Sequence, residues 1–127
     1  MALSDDGLPI SDAQVMRLAL EYTSMFDKPV INHAEDECLR NNGLMNEGEI
    51  STRLGLAGNP SLAEAIMIQR DLELANMIQA KLHVPHVTSA GGAANIRRMK
   101  KSNQNITAEV TPHHLFFNEK VKNFSNL

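Results

Sequence analysis

The residues of this chain that could carry out chemistry are imidazoles and carboxylates that lie next to short apolar runs. They are Asp5 and Asp6 near the start, His33 after 30–32, His86 after 82–85, and the pair His113 and His114 after 106–112. If these runs are parallel strands, their carboxyl ends meet at one rim and bring the side chains together. Imidazole nitrogens and carboxylate oxygens are the ligands of a catalytic zinc ion, which keeps one position open for water. The pattern therefore predicts a zinc site, whose metal would lower the pKa of that water and polarise a carbonyl group.

Each of these residues has a plainer interpretation when it is taken alone. A single histidine at a strand end is more often a hydrogen-bonded structural residue than a ligand. Asp6 precedes Gly7, and Asp-Gly is a common turn pair. The candidate ligands do not form a compact HxxxH or CxxC motif. The metal hypothesis therefore depends on their joint placement at several strand ends.

The elements that would position these residues alternate between short apolar runs and longer helical patterns. Helices are predicted over 11–26, 60–81 and 90–101, and strands over 29–33, 82–88 and 106–110. Strands separated by helices predict parallel pairing and an α/β class. Segment 34–59 is too long for an ordinary connection, and we interpret it as a functional or flexible loop.

The first predicted helix has a candidate N-cap at Ser11, with Gln14 at capping-box spacing. Its apolar residues recur with helical period, which predicts one buried stripe. The stripe consists of Val15, Leu18, Ala19, Tyr22, Met25 and Phe26.

The second long helix is expected to have Pro60 in its first turn and a capping box formed by Ser61 and Glu64. For Arg70 and Asp71 on this helix, ordinary surface charges are preferred over an internal ion pair. The predicted apolar face consists of Leu62, Ala65, Ile66, Leu72, Ala75 and Ile78.

The composition is that of a globular chain without membrane or nucleic-acid signals. The 127 residues are 43% hydrophobic and have a formal net charge of −3 at pH 7. No run reaches the roughly 18 apolar residues of a membrane helix, and basic residues cluster only at 97–101. A single cysteine, Cys38, fits a reducing compartment. We therefore expect a cytoplasmic protein that binds neither membranes nor nucleic acid.

Several strings, in the order in which they occur, resemble a known family. They are Ser4–Pro9 (SDDGLP), His33–Asp36 (HAED), Met45–Gly48 (MNEG), Leu54–Pro60 (LGLAGNP), Arg70-Asp71, His83–Val87 (HVPHV) and Glu109–His114 (EVTPHH). Together they resemble the central part of a dihydroorotase of the cyclic amidohydrolase superfamily, over about residues 3 to 120. HAED, MNEG and EVTPHH in combination are specific, whereas each string alone is weak.

The resemblance implies a fold and a set of metal ligands. Dihydroorotases are (β/α)₈ TIM barrels with zinc at the carboxyl-end face, so the chain is expected to be a partial barrel from the end of strand 4 through strand 7. By position, Asp6 resembles the carboxylate that bridges the metals, and His33 and His86 resemble zinc ligands on the fifth and sixth strands. His83 matches no ligand position. His113 and His114 lie in the seventh-strand signature, and their role stays open.

Two departures from the family pattern bear on activity. The family has a His-x-His pair followed by an arginine on its first strand, and no His-x-His occurs here. It also uses an aspartate on the eighth strand, and 115–127 contains Glu119 but no aspartate. Because a full barrel needs about 250 residues, residues 1–127 are expected to be a partial amidohydrolase domain truncated at both ends. No catalytic residue is assigned within it.

The expected function is therefore that of a fragment of a zinc-dependent dihydroorotase, inactive alone. The complete enzyme would bind one or two Zn²⁺ ions and interconvert the small-molecule substrates N-carbamoyl-L-aspartate and dihydroorotate in pyrimidine biosynthesis. One alternative is a non-catalytic, dihydroorotase-like structural partner of aspartate transcarbamoylase. Another is a related cyclic amidohydrolase such as an allantoinase or hydantoinase. Because a partial barrel exposes strand edges, we expect the isolated chain to be unstable, or to pair with a second copy or a complementing fragment.

Overall fold

A computed structural model of the chain describes residues 2–4 and 7–117. Six short strands and six helices occur within that part. The strands are β1 (Leu3–Ser4), β2 (Val30–Ile31), β3 (Met45–Asn46), β4 (Gly58–Asn59), β5 (Leu82–Val84) and β6 (Ile106–Ala108). The helices are α1 (Ala13–Ser24), α2 (Glu37–Arg40), α3 (Glu49–Leu54), α4 (Ser61–Ile78), α5 (Ala90–Met99) and α6 (Pro112–Phe116).

Four strands form one parallel sheet in the order β1-β2-β5-β6. The register pairs Val30 with Leu82 and Leu82 with Ile106, so the strands end near one another. Each step along the sheet is a crossover that contains a helix, as parallel pairing requires. The predicted α/β class with parallel strands is confirmed.

One hydrophobic core lies between the sheet and the three longest helices. Along the strands, buried and more exposed residues alternate. Val30, Leu82 and Ile106 are buried against the helices, while Ile31 and His83 face the other side of the sheet. The largest fully buried helical side chains are Met16, Leu20, Ile68 and Leu72.

Helix α1 forms where the sequence predicts it but buries a different face. Its N-cap is Asp12, whose carboxylate accepts hydrogen bonds from the backbone N–H groups of Gln14 and Val15. The prediction of Ser11 as the N-cap is therefore wrong. The buried positions are Met16, Leu20 and Thr23. Most of the predicted stripe is instead exposed, namely Val15, Leu18, Tyr22, Met25 and Phe26. Apolar periodicity identified the helix, but α1 has a second apolar face that lies outside the core.

Helix α4 differs from its prediction in capping and in the state of its charges. Pro60 is the N-cap residue and makes no side-chain cap hydrogen bond, so the predicted Ser61–Glu64 capping box is absent. Of the predicted apolar face, Ala65, Leu72 and Ala75 are buried, while Leu62 and Ile66 are exposed.

Asp71 is buried, which makes the surface-charge interpretation wrong. Its Oδ1 accepts hydrogen bonds from the Arg70 guanidinium at 2.7 and 2.9 Å, and its Oδ2 accepts one from Asn32 Nδ2 at 2.6 Å. Arg70 also donates to the backbone oxygens of Ile10 and Ser11. This network ties α4 to the segment that leads into α1.

Segment 34–59 has secondary structure of its own and is not a structureless loop. It contains α2, α3 and the small parallel sheet of β3 and β4, in which Met45 pairs with Gly58 and Asn46 with Asn59. The close approach is possible because Gly43 and Gly58 lack side chains. A Cβ on Gly58 would lie 2.7 Å from the Cα of Glu47.

No helix in the described ranges is both long enough and apolar enough to span a bilayer.

Candidate metal centre

Two of the predicted ligands, His33 and His86, meet at the rim of the parallel sheet. His33 follows β2 and His86 follows β5, which are neighbouring strands. His33 Nδ1 lies 3.1 Å from His86 Nε2, and the ring centroids are 4.8 Å apart. Side chains separated by 53 positions in the chain are therefore brought into contact by the order of the strands.

The backbone at the end of β5 adapts to bring His86 to this rim. Strand β5 stops at Val84, before Pro85, which is shorter than the predicted strand over 82–88. His86 then has a positive φ of 39°, an uncommon conformation for a residue with a side chain. The strained turn at this position is of the kind found at functional sites.

The separation of the two nitrogens fits a shared zinc ion. Two nitrogens each about 2.0–2.1 Å from a tetrahedral zinc lie roughly 3.3 Å apart, close to the 3.1 Å between these rings. Both rings are only partly buried, so an ion could reach them. The imidazole pair therefore fits part of a zinc site.

The remaining predicted ligand, Asp6, lies outside the described residues. Within residues 2–4 and 7–117, no group of three or more His, Cys, Asp or Glu side chains is arranged to hold a metal. Among the predicted ligands, His33 and His86 are therefore the two that the described structure brings together.

Glu35 supports the far side of the His33 ring. Its Oε2 lies 3.7 Å from His33 Nε2 and 3.3 Å from Arg40 Nε, and its Oε1 accepts a hydrogen bond from Asn59 Nδ2 at 2.7 Å. Asn59 comes from β4, so the small second sheet of segment 34–59 helps to hold this carboxylate.

Glu64 holds the segment that follows His86. Its carboxylate accepts hydrogen bonds from the backbone N–H groups of Thr88 and Ser89 at 2.8 and 2.6 Å, and from the Thr88 hydroxyl at 2.9 Å. Ser89 is in turn the N-cap of α5, where it accepts from the N–H of Gly92. A carboxylate from α4 thereby fixes the turn between His86 and α5.

These groups border one cleft of about 740 Å³. Its polar lining includes both histidines, Glu35, Asn46, Asn59, Glu64, Ser89 and His114. His114 comes from the exposed α6, whereas no lining position is taken by His113.

His83 lies apart from the histidine pair. Its Nδ1 is 2.8 Å from the Thr107 hydroxyl and its Nε2 is 3.6 Å from Glu109 Oε2, both across the β5–β6 pair. These contacts link neighbouring strands.

The supporting residues Glu35, Asn59 and Glu64 are not among the site residues predicted from the sequence. The signal for Glu35 was present, because it belongs to the HAED string and follows His33 by two positions. The sequence places Glu64 in a capping box of its own helix, whereas its carboxylate holds the turn that leads into the next helix. Asn59 belongs to the LGLAGNP string, but the sequence gives no sign of its contact with Glu35.

A parallel α/β sheet with imidazoles converging at the carboxyl ends of its strands is an arrangement used by metal-dependent hydrolases. The sequence model of the dihydro-orotase-like family matches residues 1–91, and the chain belongs to that family. It is 51% identical over 126 residues to a dihydroorotase of Syntrophus aciditrophicus (strain SB), covering 98% of this chain and 30% of that protein. It is 48% identical over 121 residues to a dihydroorotase of Endomicrobium trichonymphae, covering 95% of this chain and 29% of that protein.

Solved structures show the same fold at lower sequence identity. The L-hydantoinase (dihydropyrimidinase) from Arthrobacter aurescens matches with a TM-score of 0.72 and 21% identity, over 94% of this chain and 28% of that one. A D-hydantoinase matches with a TM-score of 0.69 and 23% identity, over 94% of this chain and 27% of that one. The chain thus spans about 30% of the length of the dihydroorotases that it matches.

Proposed function

We propose that this chain forms part of a zinc-dependent dihydroorotase that interconverts N-carbamoyl-L-aspartate and dihydroorotate. The observation on which the proposal rests is the 3.1 Å approach of His33 Nδ1 to His86 Nε2 at the rim of a parallel sheet. The 48–51% identity to dihydroorotases supports this substrate class over that of the hydantoinases, whose likeness is one of fold. In this proposal the four strands correspond to strands 4 to 7 of a (β/α)₈ barrel, and residues 1–127 are one partial amidohydrolase domain.

In the proposed site, His33 and His86 would hold zinc together with Asp6. When bound, one or two zinc ions would activate a water molecule and polarise the amide carbonyl of the ring. This chain's own part is to support the His33 ring through Glu35, to hold the turn after His86 through Glu64, and to line one side of the substrate cleft. Proton transfer would need the eighth-strand aspartate of the family, and 115–127 contains none.

The same reasoning leads us to propose that the chain by itself does not turn over substrate. No His-x-His pair or following arginine is present to complete the metal and carboxylate sites. Within this proposal, a complementing fragment or a second copy would be the partner. If zinc did not bind in the following test, the result would favour the alternative, a non-catalytic structural partner of aspartate transcarbamoylase.

Zinc titration of the full 127-residue chain tests the proposed site. We expect binding that His33→Ala and His86→Ala each weaken by at least about tenfold, because each removes one ligand nitrogen. His83→Ala is the matched control, since it removes a histidine of the same sheet whose contacts are Thr107 and Glu109. The proposal would be contradicted if the unaltered chain did not bind zinc, or if all three variants bound it equally well. Turnover of dihydroorotate by the chain alone would also contradict it.

A further inference from the structure

Glu35 has no role in the metal site that the family resemblance implies, yet its carboxylate is held from several directions. Asn59 Nδ2 donates to Oε1 at 2.7 Å, while Arg40 Nε and His33 Nε2 lie 3.3 and 3.7 Å from Oε2. Asn59 makes this bond while its own buried Oδ1 has no hydrogen-bond partner in the described part of the chain. Leaving a buried oxygen unpaired costs free energy. Asn59 accepts this cost in the orientation that lets its Nδ2 donate to Glu35, so the hydrogen bond to Glu35 helps to set that orientation.

The position of this carboxylate bears on which nitrogen of His33 carries the proton. An ionised carboxylate only accepts hydrogen bonds, and a neutral imidazole has one donor nitrogen and one acceptor nitrogen. A proton on Nε2 faces Glu35 favourably and leaves Nδ1 as the acceptor. Nδ1 is the atom that lies 3.1 Å from His86 Nε2.

Only one proton fits between the two facing nitrogens. If His33 Nδ1 is the acceptor, His86 Nε2 is the donor in the metal-free chain. A cation between the rings would replace that single proton, so His86 would change tautomer on binding the ion and His33 would not.

We infer that Glu35 is a positioning residue whose negative charge, 3.7 Å from His33 Nε2, favours the Nε2–H tautomer of His33, which presents a bare Nδ1 toward His86 and toward a divalent cation. The cation part of this inference rests on the proposed function, whereas the tautomer of the metal-free chain does not. A carboxylate behind a ligating histidine commonly sets the tautomer and orientation of the ring.

Long-range ¹H–¹⁵N correlation spectra of the metal-free chain test the inference, because protonated and bare ring nitrogens have well-separated ¹⁵N shifts. We expect Nε2–H for both His33 and His86 in the unaltered chain. In Glu35→Gln the new amide group can donate to His33 Nε2, so the tautomer ratio of both rings should move at least about threefold toward Nδ1–H. Asn59→Ala removes only one support of the carboxylate and should move the ratio in the same direction by less.

Glu109→Gln is the matched control, because Glu109 faces Nε2 of a different histidine, His83, at 3.6 Å. It should alter the His83 signals and leave those of His33 and His86 unchanged. Backbone ¹H–¹⁵N spectra report whether each variant keeps the fold, and Asn59→Ala supplies the test if Glu35→Gln does not fold. A proton on His33 Nδ1 in the unaltered chain would overturn the inference, as would an unchanged ratio in the folded variants.

Added zinc separates the inference from the proposed function. We expect zinc to convert His86 to Nδ1–H, and Glu35→Gln to bind zinc roughly 10- to 100-fold more weakly. If zinc leaves the ring signals of the unaltered chain unchanged while the tautomers respond to Glu35→Gln, the metal site fails and the positioning role stands.

Discussion

Asp71 shows how a single residue can link distant segments. Its carboxylate is 1% exposed and is neutralised by Arg70, while Asn32 uses its Nδ2 on Asp71 and its Oδ1 on the N–H of Ile10. Asn32 immediately precedes His33, so this network anchors the end of β2 from which the metal-binding candidate projects. Removing one partner of a buried ion pair is strongly destabilising, because the other group stays buried without its partner.

Replacing Asp71 should therefore destabilise the protein strongly. We expect Asp71→Ala to lower the free energy of unfolding by about 3 kcal/mol, because Arg70 and Asn32 lose their buried partner. Urea denaturation measures the loss. Glu73→Ala, an exposed acid on the same helix, should change stability by less than about 0.5 kcal/mol. Equal effects of the two substitutions would show that the buried network does not stabilise the fold.

Asp27 provides a pH-dependent contact at the surface. The hydrogen bond from Lys81, followed by its charge, holds the pKa of Asp27 below the ordinary value, and Lys28 adds to the effect. Because the folded-state pKa is lowered, the stabilisation is present above the ordinary aspartate pKa and is lost as pH falls through the lowered pKa. Asp27 also has a positive φ of 55°, which asparagine tolerates.

Asp27→Asn should therefore melt at a slightly lower temperature than the unaltered protein at pH 7. The difference should disappear in acid, where both side chains are neutral. Thermal melts of both proteins from pH 7 down to pH 2 measure this convergence. A difference that persists unchanged below the titration of Asp27 would contradict the assignment to its carboxylate.

At the scale of elements, segment 34–59 supports the end of β2. It contains both Glu35, which lies behind the His33 ring, and Asn59, which holds Glu35. Strand β4 delivers Asn59 to Glu35, and β4 in turn depends on the close passage of Gly58 beside Glu47. The local sequence predicted a loop because its strands are only two residues long and are rich in glycine and asparagine. Strands this short depend on tertiary pairing.

Gly58→Ala tests that packing. A Cβ at this position would lie 2.7 Å from the Cα and Cβ of Glu47, so the small sheet must open. We expect a loss of about 1–3 kcal/mol in unfolding free energy and faster amide exchange in β3 and β4. Gly48→Ala is the control, since its Cβ would meet nothing within 4 Å and its φ is extended. If Gly48→Ala were the more damaging change, the packing explanation would be wrong.

At the scale of the molecule, the described part of the chain leaves apolar side chains and strand edges exposed. The outer face of α1 presents large apolar side chains, of which Tyr22 and Phe26 contact each other edge to face. Strands β1 and β6 end the sheet without a further strand among the described residues. Exposed apolar faces and open strand edges both favour association.

We therefore predict that the isolated chain self-associates in a concentration-dependent way, as measured by sedimentation velocity. Leu18→Lys combined with Tyr22→Lys should reduce this association, because both positions are exposed on the apolar face. Thr52→Lys combined with Ala94→Lys adds the same charge at exposed positions elsewhere. A chain that remains monomeric at all concentrations, with a sharp cooperative melt, would contradict the prediction.

The sequence by itself determined the order of the major elements, the parallel α/β class and the family. These features depend on local signals, namely helical periodicity, β-branched runs and the ordered strings from HAED to EVTPHH. Each signal can be recognised without knowledge of the tertiary contacts. They also identified His33 and His86 as candidates, because residues at the carboxyl ends of parallel strands must share one rim.

Only the tertiary structure decided which face of α1 is buried, that Asp71 is internal, and that Glu35, Asn59 and Glu64 support the site. A helix with apolar residues on more than one side has no local property that selects the core-facing side, because the choice depends on its neighbours. The approach of His33 to His86 and the carboxylate behind it likewise depend on strand order and on a turn at His86. Such contacts join residues that are far apart in the chain, and only packing determines them.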